Sequence, residues 1–331
     1  MIGWQRRGSK GRFHYVDASG ERLTDEAQLE RIRSLAVPPA WRDVWIARGA
    51  RAKLQATGYD AAGRKQYLYH PDFRARQEQA KYDKLIRFAE RLPELREAMA
   101  EHMELDGLPL EKVAAIAVRL INLGWFRVGG ERYAKTSRTF GITTLRKSHV
   151  SVRGSRISFR YRGKHAIMIR SAIVDAELAA AMRELLALPG ARLFQFALED
   201  GTRCDLHQRR LNEYVKTYLG DEFSAKDFRT WGGTLIAAIE LAQLEPPPTK
   251  RNIAAVMRKV AQKLGNTPAV ARSSYVSPAV VEQYLDGRTI DDFRPRHLRV
   301  VQARGRGLDP EEAATLSLLR SWRIRAQRAA A

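Results

Sequence analysis

The stretch Lys65-Gln-Tyr-Leu-Tyr69-His-Pro71-Asp-Phe-Arg-Ala-Arg76 marks the place where one structural pattern replaces another. Before Pro71, short segments alternate apolar and polar residues, which is typical of strands with one buried face. After Pro71, apolar residues recur mainly at helical spacing. The sequence therefore predicts an α+β protein, with a small N-terminal antiparallel β-sheet domain (residues 1–76) and a larger, mostly α-helical domain (residues 77–331).

Working outward, the first domain has three predicted strands, near residues 12–16, 44–47 and 65–69, and one helix at about 25–35. The charged segment Arg74 to Arg91 is predicted to be an exposed connector. The second domain has a predicted β-hairpin that closes at Arg162, with Ile157, Phe159 and Tyr161 on one face. Its main helices are predicted at 110–123, 175–188, 205–219 and 252–264.

The charge of the chain restricts its partners. The 331 residues contain 58 Lys and Arg against 37 Asp and Glu, a formal net charge of +21. This balance favours a polyanion, and nucleic acid is the first candidate. No run of 18 apolar residues and no signal-peptide pattern occurs, so we expect no membrane association and a cytoplasmic, nucleoid-associated location. The arginine-rich end after Arg294 is a candidate for a further phosphate-contacting helix.

Metal and cofactor sites are not expected. The single Cys204 excludes an intramolecular disulfide framework, and Cys204-Asp-Leu-His207 has no second pair that would complete a zinc site. Acidic residues are sparse near the basic segments, no D-x-D pattern appears, and no Walker A loop is present. We therefore expect any chemistry on phosphate to use cationic side chains.

Tyr275 is the candidate nucleophile, at the end of Asn266-Thr-Pro-Ala-Val-Ala-Arg-Ser-Ser-Tyr275. A phenol can attack phosphorus if donors neutralise the charge that develops on the other phosphate oxygens, and the planar fork of arginine suits that task. Thr267-Pro268 predicts a helix start that places Tyr275 two turns along, inside the helix. The pattern from Ser224 to Asp227 predicts another helix start, with Arg229 in its second turn.

Five segments in order resemble the poxvirus-like (bacterial) type IB DNA topoisomerases, and the resemblance covers nearly the whole chain. The segments are Phe126 to Tyr133, Gly141 to Leu145, the hairpin closing on Arg162-Gly-Lys164, Lys226 to Trp231, and Thr267 to Tyr275. In the N-terminal part, Gly63 to Tyr69 is similar to the DNA-contacting strand of that family. The family consists of two-domain clamps around duplex DNA, which implies a monomer acting on one double-stranded DNA.

The resemblance also implies site roles. Tyr275 is the nucleophile that takes the 3′ phosphate, Arg127 and Arg229 bind the nonbridging oxygens, and Lys164 helps protonate the departing 5′ oxygen. Asn266 stands where the family usually has His, and its amide retains a donor but no acid–base capacity. The implied DNA-binding residues are Lys65, Gln66, Tyr67, Tyr69, Lys226 and Arg272. No cofactor is implied.

Two alternatives remain open from the sequence. A tyrosine recombinase uses the same phosphotyrosine chemistry, but its second arginine usually follows His in an H-x-x-R pattern, whereas this chain has Lys226-x-x-Arg229. A non-catalytic DNA-binding protein would explain the charge and the aromatic strand, but it leaves Tyr275 and Lys164 without a role.

Overall fold

The computed structural model describes residues 2–9, 11–294 and 306–330. The chain divides into two compact units, Met1–Tyr82 and Asp83–Ala331. Of the arginine-rich end after Arg294, residues 295–305 lie outside the described residues, and a helix does form further on, at Pro310–Ala330. The phosphate-contacting role of this end stays a prediction. Among the helices that are described, none has the length and apolar character needed to cross a membrane.

The first unit contains a five-stranded antiparallel sheet with the order β2-β1-β3-β4-β5. The sequence patterns locate β2, β3 and β5, but they miss β1 and β4. In β4 the central residues are buried on both faces, including the polar Gln55 and Thr57, so no alternation is visible. The strands are β1 (Gly3–Arg7), β2 (His14–Val16), β3 (Arg42–Ala47), β4 (Leu54–Tyr59) and β5 (Lys65–Tyr69).

One helix, α1 (Glu26–Ser34), covers this sheet, as the sequence predicts. The Asp25 side chain caps it by accepting from the backbone N–H groups of Ala27 and Gln28. Ile32 is buried with residues of β3 and β4 in the core of the unit. On β5, Leu68 packs against this core, which leaves the alternate residues of that strand on the exposed face.

The second unit is mainly helical, and its helices follow the predicted order. The third predicted helix begins at Gln208 instead of Asp205, because residues 203–205 pair in a short strand. The helices are α2 (Pro71–Met103, which contains the boundary between the units), α3 (Leu110–Gly124), α4 (Glu131–Thr136), α5 (Ala176–Ala187), α6 (Gln208–Leu219), α7 (Asp227–Ala242), α8 (Lys250–Leu264), α9 (Pro268–Ser274), α10 (Pro278–Leu285) and α11 (Pro310–Ala330).

The prediction of an exposed connector at Arg74 to Arg91 is wrong for its second half. Phe88 is fully buried, and its ring centroid lies 5.7 Å from that of Phe223 and 5.0 Å from that of Phe228. Most of the described charged residues of the segment lie on the outer side of α2, so the composition hides an apolar stripe. This stripe packs α2 against the start of α7.

The predicted hairpin belongs to a larger, three-stranded antiparallel sheet with the order β6-β7-β8. Its strands are β6 (Val150–Arg153), β7 (Arg156–Arg162) and β8 (Met168–Val174), and a two-stranded ribbon of β9 (Gln195–Ala197) and β10 (Arg203–Asp205) lies elsewhere in the unit. Ile157, Phe159 and Tyr161 form the buried face, as predicted. The ring of Phe126 lies 4.9 Å from that of Phe159, so this face packs against the residue preceding Arg127.

Two helical positions differ from the sequence prediction. Helix α9 ends at Ser274, so Tyr275 is the residue that follows it instead of lying inside it. Helix α7 begins at Asp227, because the Asp227 carboxylate accepts from the backbone N–H of Ser224, and Arg229 therefore lies in the first turn. Both residues sit at helix ends, where backbone groups without intrahelical partners are available.

Candidate active site

Arg127 contacts both the tyrosine and the asparagine that the sequence singles out. Its Nη1 donates to the Tyr275 hydroxyl at 3.4 Å, and its Nη2 donates to Asn266 Oδ1 and, at 3.3 Å, to the Gly265 carbonyl. Arg127 follows α3, which ends where Trp125 adopts a left-handed conformation. The backbone at Arg127 is fixed in turn, because its carbonyl accepts from the Ile142 N–H at 2.9 Å.

Arg229 is buried beside the same tyrosine, with 5% of its surface exposed. Its Nη2 donates to the Leu264 carbonyl at 2.7 Å and its Nη1 donates to the Trp125 carbonyl, so the guanidinium bridges the ends of α8 and α3. Its Cζ lies 5.0 Å from the centroid of the Tyr275 ring. Burial, followed by the nearby charge of Arg127, lowers the pKa of Arg229.

The two arginines change the acidity of Tyr275, the candidate nucleophile. Burial alone would raise the pKa of Tyr275, but the charges and hydrogen bonds of Arg229 and Arg127 outweigh it and lower that pKa below the ordinary phenol value. A cation beside a phenol favours the phenolate, which is the form that attacks phosphorus. The site is therefore arranged to release the Tyr275 proton.

Asn266 has a defined amide orientation. Its Oδ1 accepts from Arg127, so its Nδ2 points elsewhere, and this buried Nδ2 has no hydrogen-bond partner among the residues described. The buried Nε of Arg229 likewise has no partner in that part of the chain. A buried donor without a partner costs stability and calls for a functional explanation. Two such donors beside one tyrosine fit a site that receives an anion.

The position of Tyr275 is set by α7, the helix that also carries Arg229. The Thr234 hydroxyl donates to the Tyr275 carbonyl at 3.2 Å and accepts from the Ser277 N–H at 3.0 Å. At Gly233, an added Cβ would lie 2.8 Å from the Tyr275 carbonyl oxygen and 2.9 Å from its Cβ. Only glycine allows the tyrosine backbone to approach α7 this closely.

Lys164 lies with both arginines in the wall of one open cavity of about 410 Å³. Its side chain is exposed just beyond β7, as predicted. Tyr275 is not part of this wall, although its hydroxyl and ring contact the two arginines that are. Tyr161 completes the wall, and burial raises the pKa of Tyr161, so this second phenol stays neutral.

Among the described residues, no side-chain hydrogen bond joins Lys226 or Arg272 to Tyr275 or the two arginines, and the other predicted DNA-binding residues belong to the first unit. Lys226 is exposed at the start of α7, and Arg272 is exposed on α9. On β5, Lys65, Tyr67 and Tyr69 share the exposed face, with Tyr67 and Tyr69 stacked at 6.2 Å between centroids. Gln66 is the last of the predicted DNA-binding residues. Its side chain lies on the opposite face of β5 and donates to Asp60 at 2.9 Å.

Sequence reasoning missed three contributors to the site: Tyr161, Gly233 and Thr234. Tyr161 is recognised as a buried strand residue, but its place beside the arginines depends on pairing with distant helices. Gly232-Gly233 inside a helical pattern is a detectable signal, because glycine lowers helix stability and needs a packing or functional reason there. In the described ranges, no group of three or more His, Cys, Asp or Glu side chains could hold a metal ion.

Comparisons with known proteins agree with this geometry. The sequence-family model of the eukaryotic DNA topoisomerase I catalytic core matches residues 70–292 of this chain. The sequence-family model of the bacterial DNA topoisomerase IB N-terminal domain matches residues 12–60. DNA topoisomerase 1B of Acanthamoeba polyphaga mimivirus is 32% identical over 291 residues, 85% of this chain and 86% of the relative. The chain belongs to the type IB DNA topoisomerases.

More distant relatives of the same type cover a similar share. DNA topoisomerase 1B of Vaccinia virus (strain Copenhagen) is 21% identical over 278 residues, 81% of this chain and 85% of the relative. DNA topoisomerase 1 of Rabbit fibroma virus is 23% identical over 251 residues, 73% and 76% of the two chains. Of the three readings that the sequence left open, the topoisomerase is the one that these similarities support.

Proposed function

We propose that this topoisomerase relaxes supercoiled DNA by cutting one strand, holding its 3′ end as a phosphotyrosine, and resealing it after rotation. The observation that carries the proposal is the convergence of Arg127 and Arg229 on the Tyr275 ring and hydroxyl, from positions far apart in the chain. Two guanidinium groups beside one phenol supply both an activated nucleophile and donors for a phosphate.

In the first step, the Tyr275 oxygen attacks phosphorus, the Tyr–O–P bond forms and the bond to the 5′ oxygen breaks. The phenol proton leaves more easily because the arginines lower the pKa of Tyr275. The 5′ oxygen requires a proton to depart, and Lys164, exposed in the cavity wall, is the donor we assign. Resealing is the reverse reaction, in which the 5′ hydroxyl attacks the phosphotyrosine.

Arg127 and Arg229 are assigned to the nonbridging oxygens of the scissile phosphate. In this scheme the Asn266 Nδ2 donates to the same phosphate, which gives its unpartnered N–H a function. The cations take the place that divalent ions hold in other phosphoryl-transfer sites. Because the phosphotyrosine conserves the energy of the phosphodiester bond, the cycle requires neither ATP nor an obligatory metal or other cofactor.

DNA binding is assigned to residues 1–76 and catalysis to residues 77–331, with the two domains gripping one duplex as a monomeric clamp. Support comes from the exposed cation and aromatic face of β5, which carries Lys65, Tyr67 and Tyr69. Exposed Lys226 and Arg272 lie close in sequence to Arg229 and Tyr275 and suit phosphate contacts near the cut. Gln66 contributes from the same strand. We assign the enzyme to the cytoplasm and nucleoid, without membrane association.

The decisive test is supercoiled plasmid incubated with the protein in EDTA and without ATP. Stepwise relaxation, together with a covalent adduct that maps to Tyr275 after denaturation, is the expected result. Site-specific strand exchange would instead identify a recombinase. Slower migration of the DNA in a gel without a change in linking number would identify a protein that binds DNA without cutting it.

A further inference from the structure

The outward face of the β6-β7-β8 sheet carries an unusual concentration of arginine. In the strand register, Arg153 lies opposite Arg156 and Arg160 lies opposite Arg170. All four are exposed, as is Arg162. We call these five residues the arginine face. Like charges directly opposite each other in a sheet destabilise it, so two such pairs call for an explanation.

The protein itself supplies no countercharge to this face. The three strands contain no Asp or Glu. Among the residues described, none of the five arginines forms a salt bridge or a side-chain hydrogen bond. Nearby carboxylates are engaged elsewhere, Asp175 and Glu177 with Arg119 and Glu184 with Lys112. The countercharge must therefore come from a ligand or from solvent ions.

A second cavity, of about 820 Å³, lies between the arginine face and the catalytic cavity. Arg160 and Arg162 line it together with Lys135 and Arg138, and its acidic side chain, Glu131, pairs with Arg192. This cavity and the catalytic cavity share Phe140, Tyr161 and Met168 in their walls, so the two are adjacent.

We propose that the arginine face and this second cavity bind the phosphate backbone of the cleaved duplex beyond the scissile phosphate, on one side of the cut. The proposal rests on the function proposed above. The wall residues that the two cavities share favour the same duplex over a second DNA molecule, because neighbouring phosphates of one strand can reach both. The arginine fork also matches phosphate oxygens in pairs, which suits a backbone without base readout.

The test compares the double variant Arg156→Gln/Arg160→Gln, two arginines of the face outside the catalytic cavity, with the control Arg203→Gln/Arg209→Gln, which also removes two exposed arginines. Both are made in Tyr275→Phe protein, so binding is measured without cleavage. The affinity for DNA is measured as a function of salt concentration with two duplexes. One is the shortest duplex that binds, and the other is the same duplex extended by a helical turn at each end. Thermal unfolding of each variant verifies the fold.

We expect the salt slope for the extended duplex to fall by about 2 in the first variant, since each phosphate contact contributes about 0.9, and to stay unchanged in the control. For the shortest duplex both variants should match the parent. Equal slopes on the extended duplex would overturn the proposal. So would an equal loss on both duplexes, which would place these arginines at the scissile phosphate.

A capture assay addresses the competing source of phosphate. Protein bound to an immobilised duplex is offered a labelled second duplex, and we expect no capture that depends on Arg156 or Arg160. Capture lost in the double variant but not in the control would assign the face to a second DNA and overturn the proposal. None of these readouts uses cleavage. Failure of the proposed chemistry would be seen separately, because wild-type protein would then form no covalent adduct with DNA at Tyr275.

Discussion

Two regions place cations beside tyrosine rings. One is the candidate catalytic cluster of Arg127, Arg229, Asn266 and Tyr275, and the other is the exposed face of β5. The two regions hold their cations differently. Arg229 is buried 5.0 Å from the Tyr275 ring and donates to two backbone carbonyls, whereas the Lys65 ammonium lies 5.9 Å from the exposed Tyr67 ring. The first arrangement is ordered before DNA arrives, and the second keeps its side chains in solvent. If the proposed mechanism is right, preorganisation should make single residues of the cluster indispensable, while the β5 face should contribute in small increments.

The largest effect tests the cluster at its centre. Tyr275→Phe should abolish relaxation and the covalent adduct while leaving duplex affinity nearly unchanged, because only the nucleophilic oxygen is removed. Plasmid relaxation and denaturing gels measure the two activities. Tyr218→Phe, which removes a hydroxyl from a different cluster, should relax DNA normally. Wild-type turnover in Tyr275→Phe would exclude this residue as the nucleophile.

Arg229→Ala should slow single-turnover cleavage by about 10²- to 10³-fold, the usual loss for one preorganised donor to a developing charge. The Trp125 and Leu264 carbonyls also lose their donor, so the variant should unfold at a lower temperature. Cleavage is measured below the unfolding transition to separate the two effects. A folded variant that cuts at the parental rate would refute the assigned role.

Gly233→Ala tests the positioning of the tyrosine. The added methyl group would meet the Tyr275 backbone at less than the normal contact distance, and a displacement of about 1 Å can cost up to about 10²-fold in rate. Alanine is favoured over glycine in a helix by about 1 kcal/mol, which offsets part of any strain in stability. We expect slower cleavage with unchanged duplex affinity. An unaltered cleavage rate would show that the close approach at Gly233 does not position Tyr275 for cleavage.

The pH dependence of cleavage examines the electrostatics of the cluster. Because Arg229 and Arg127 lower the pKa of Tyr275, the phenolate fraction grows as pH rises and becomes complete at a lower pH than for a free phenol. Single-turnover cleavage should therefore rise with pH and level off at a lower pH than it would for a free phenol. Arg127→Ala should move this rise to higher pH, because one stabilising cation is lost. An unmoved profile would contradict the coupling.

The smallest effect belongs to β5. Lys65→Gln should weaken duplex binding slightly and reduce the slope of log affinity against log salt by about 0.9, the contribution of one phosphate contact. Lys216→Gln, at an exposed position on α6, serves as the charge-matched control. If Lys65→Gln slowed cleavage as much as Arg229→Ala does, the proposed difference between the β5 face and the cluster would be wrong.

Local signals explain which parts of the fold the sequence predicts. The helix start at Thr267, the end of α8 at Leu264 and the alternation in β7 all depend on neighbouring residues, and these predictions are confirmed. Strand β4 and the helical boundary at Tyr275 depend on tertiary packing, and there the predictions fail. The meeting of Arg127 with Tyr275 has no local signal, so only resemblance to a family indicates it from sequence.

Helix α7 carries both Arg229, which we assign to the phosphate, and, five residues later, Thr234, whose hydroxyl donates to the Tyr275 carbonyl. Five residues of helix span about 7.5 Å along the axis and do not stretch. In the proposed mechanism, one helix therefore fixes the spacing between the phosphate-binding arginine and the nucleophile. On this proposal a cleaved strand end meets the same spacing after rotation, so the geometry proposed for cleavage also serves resealing.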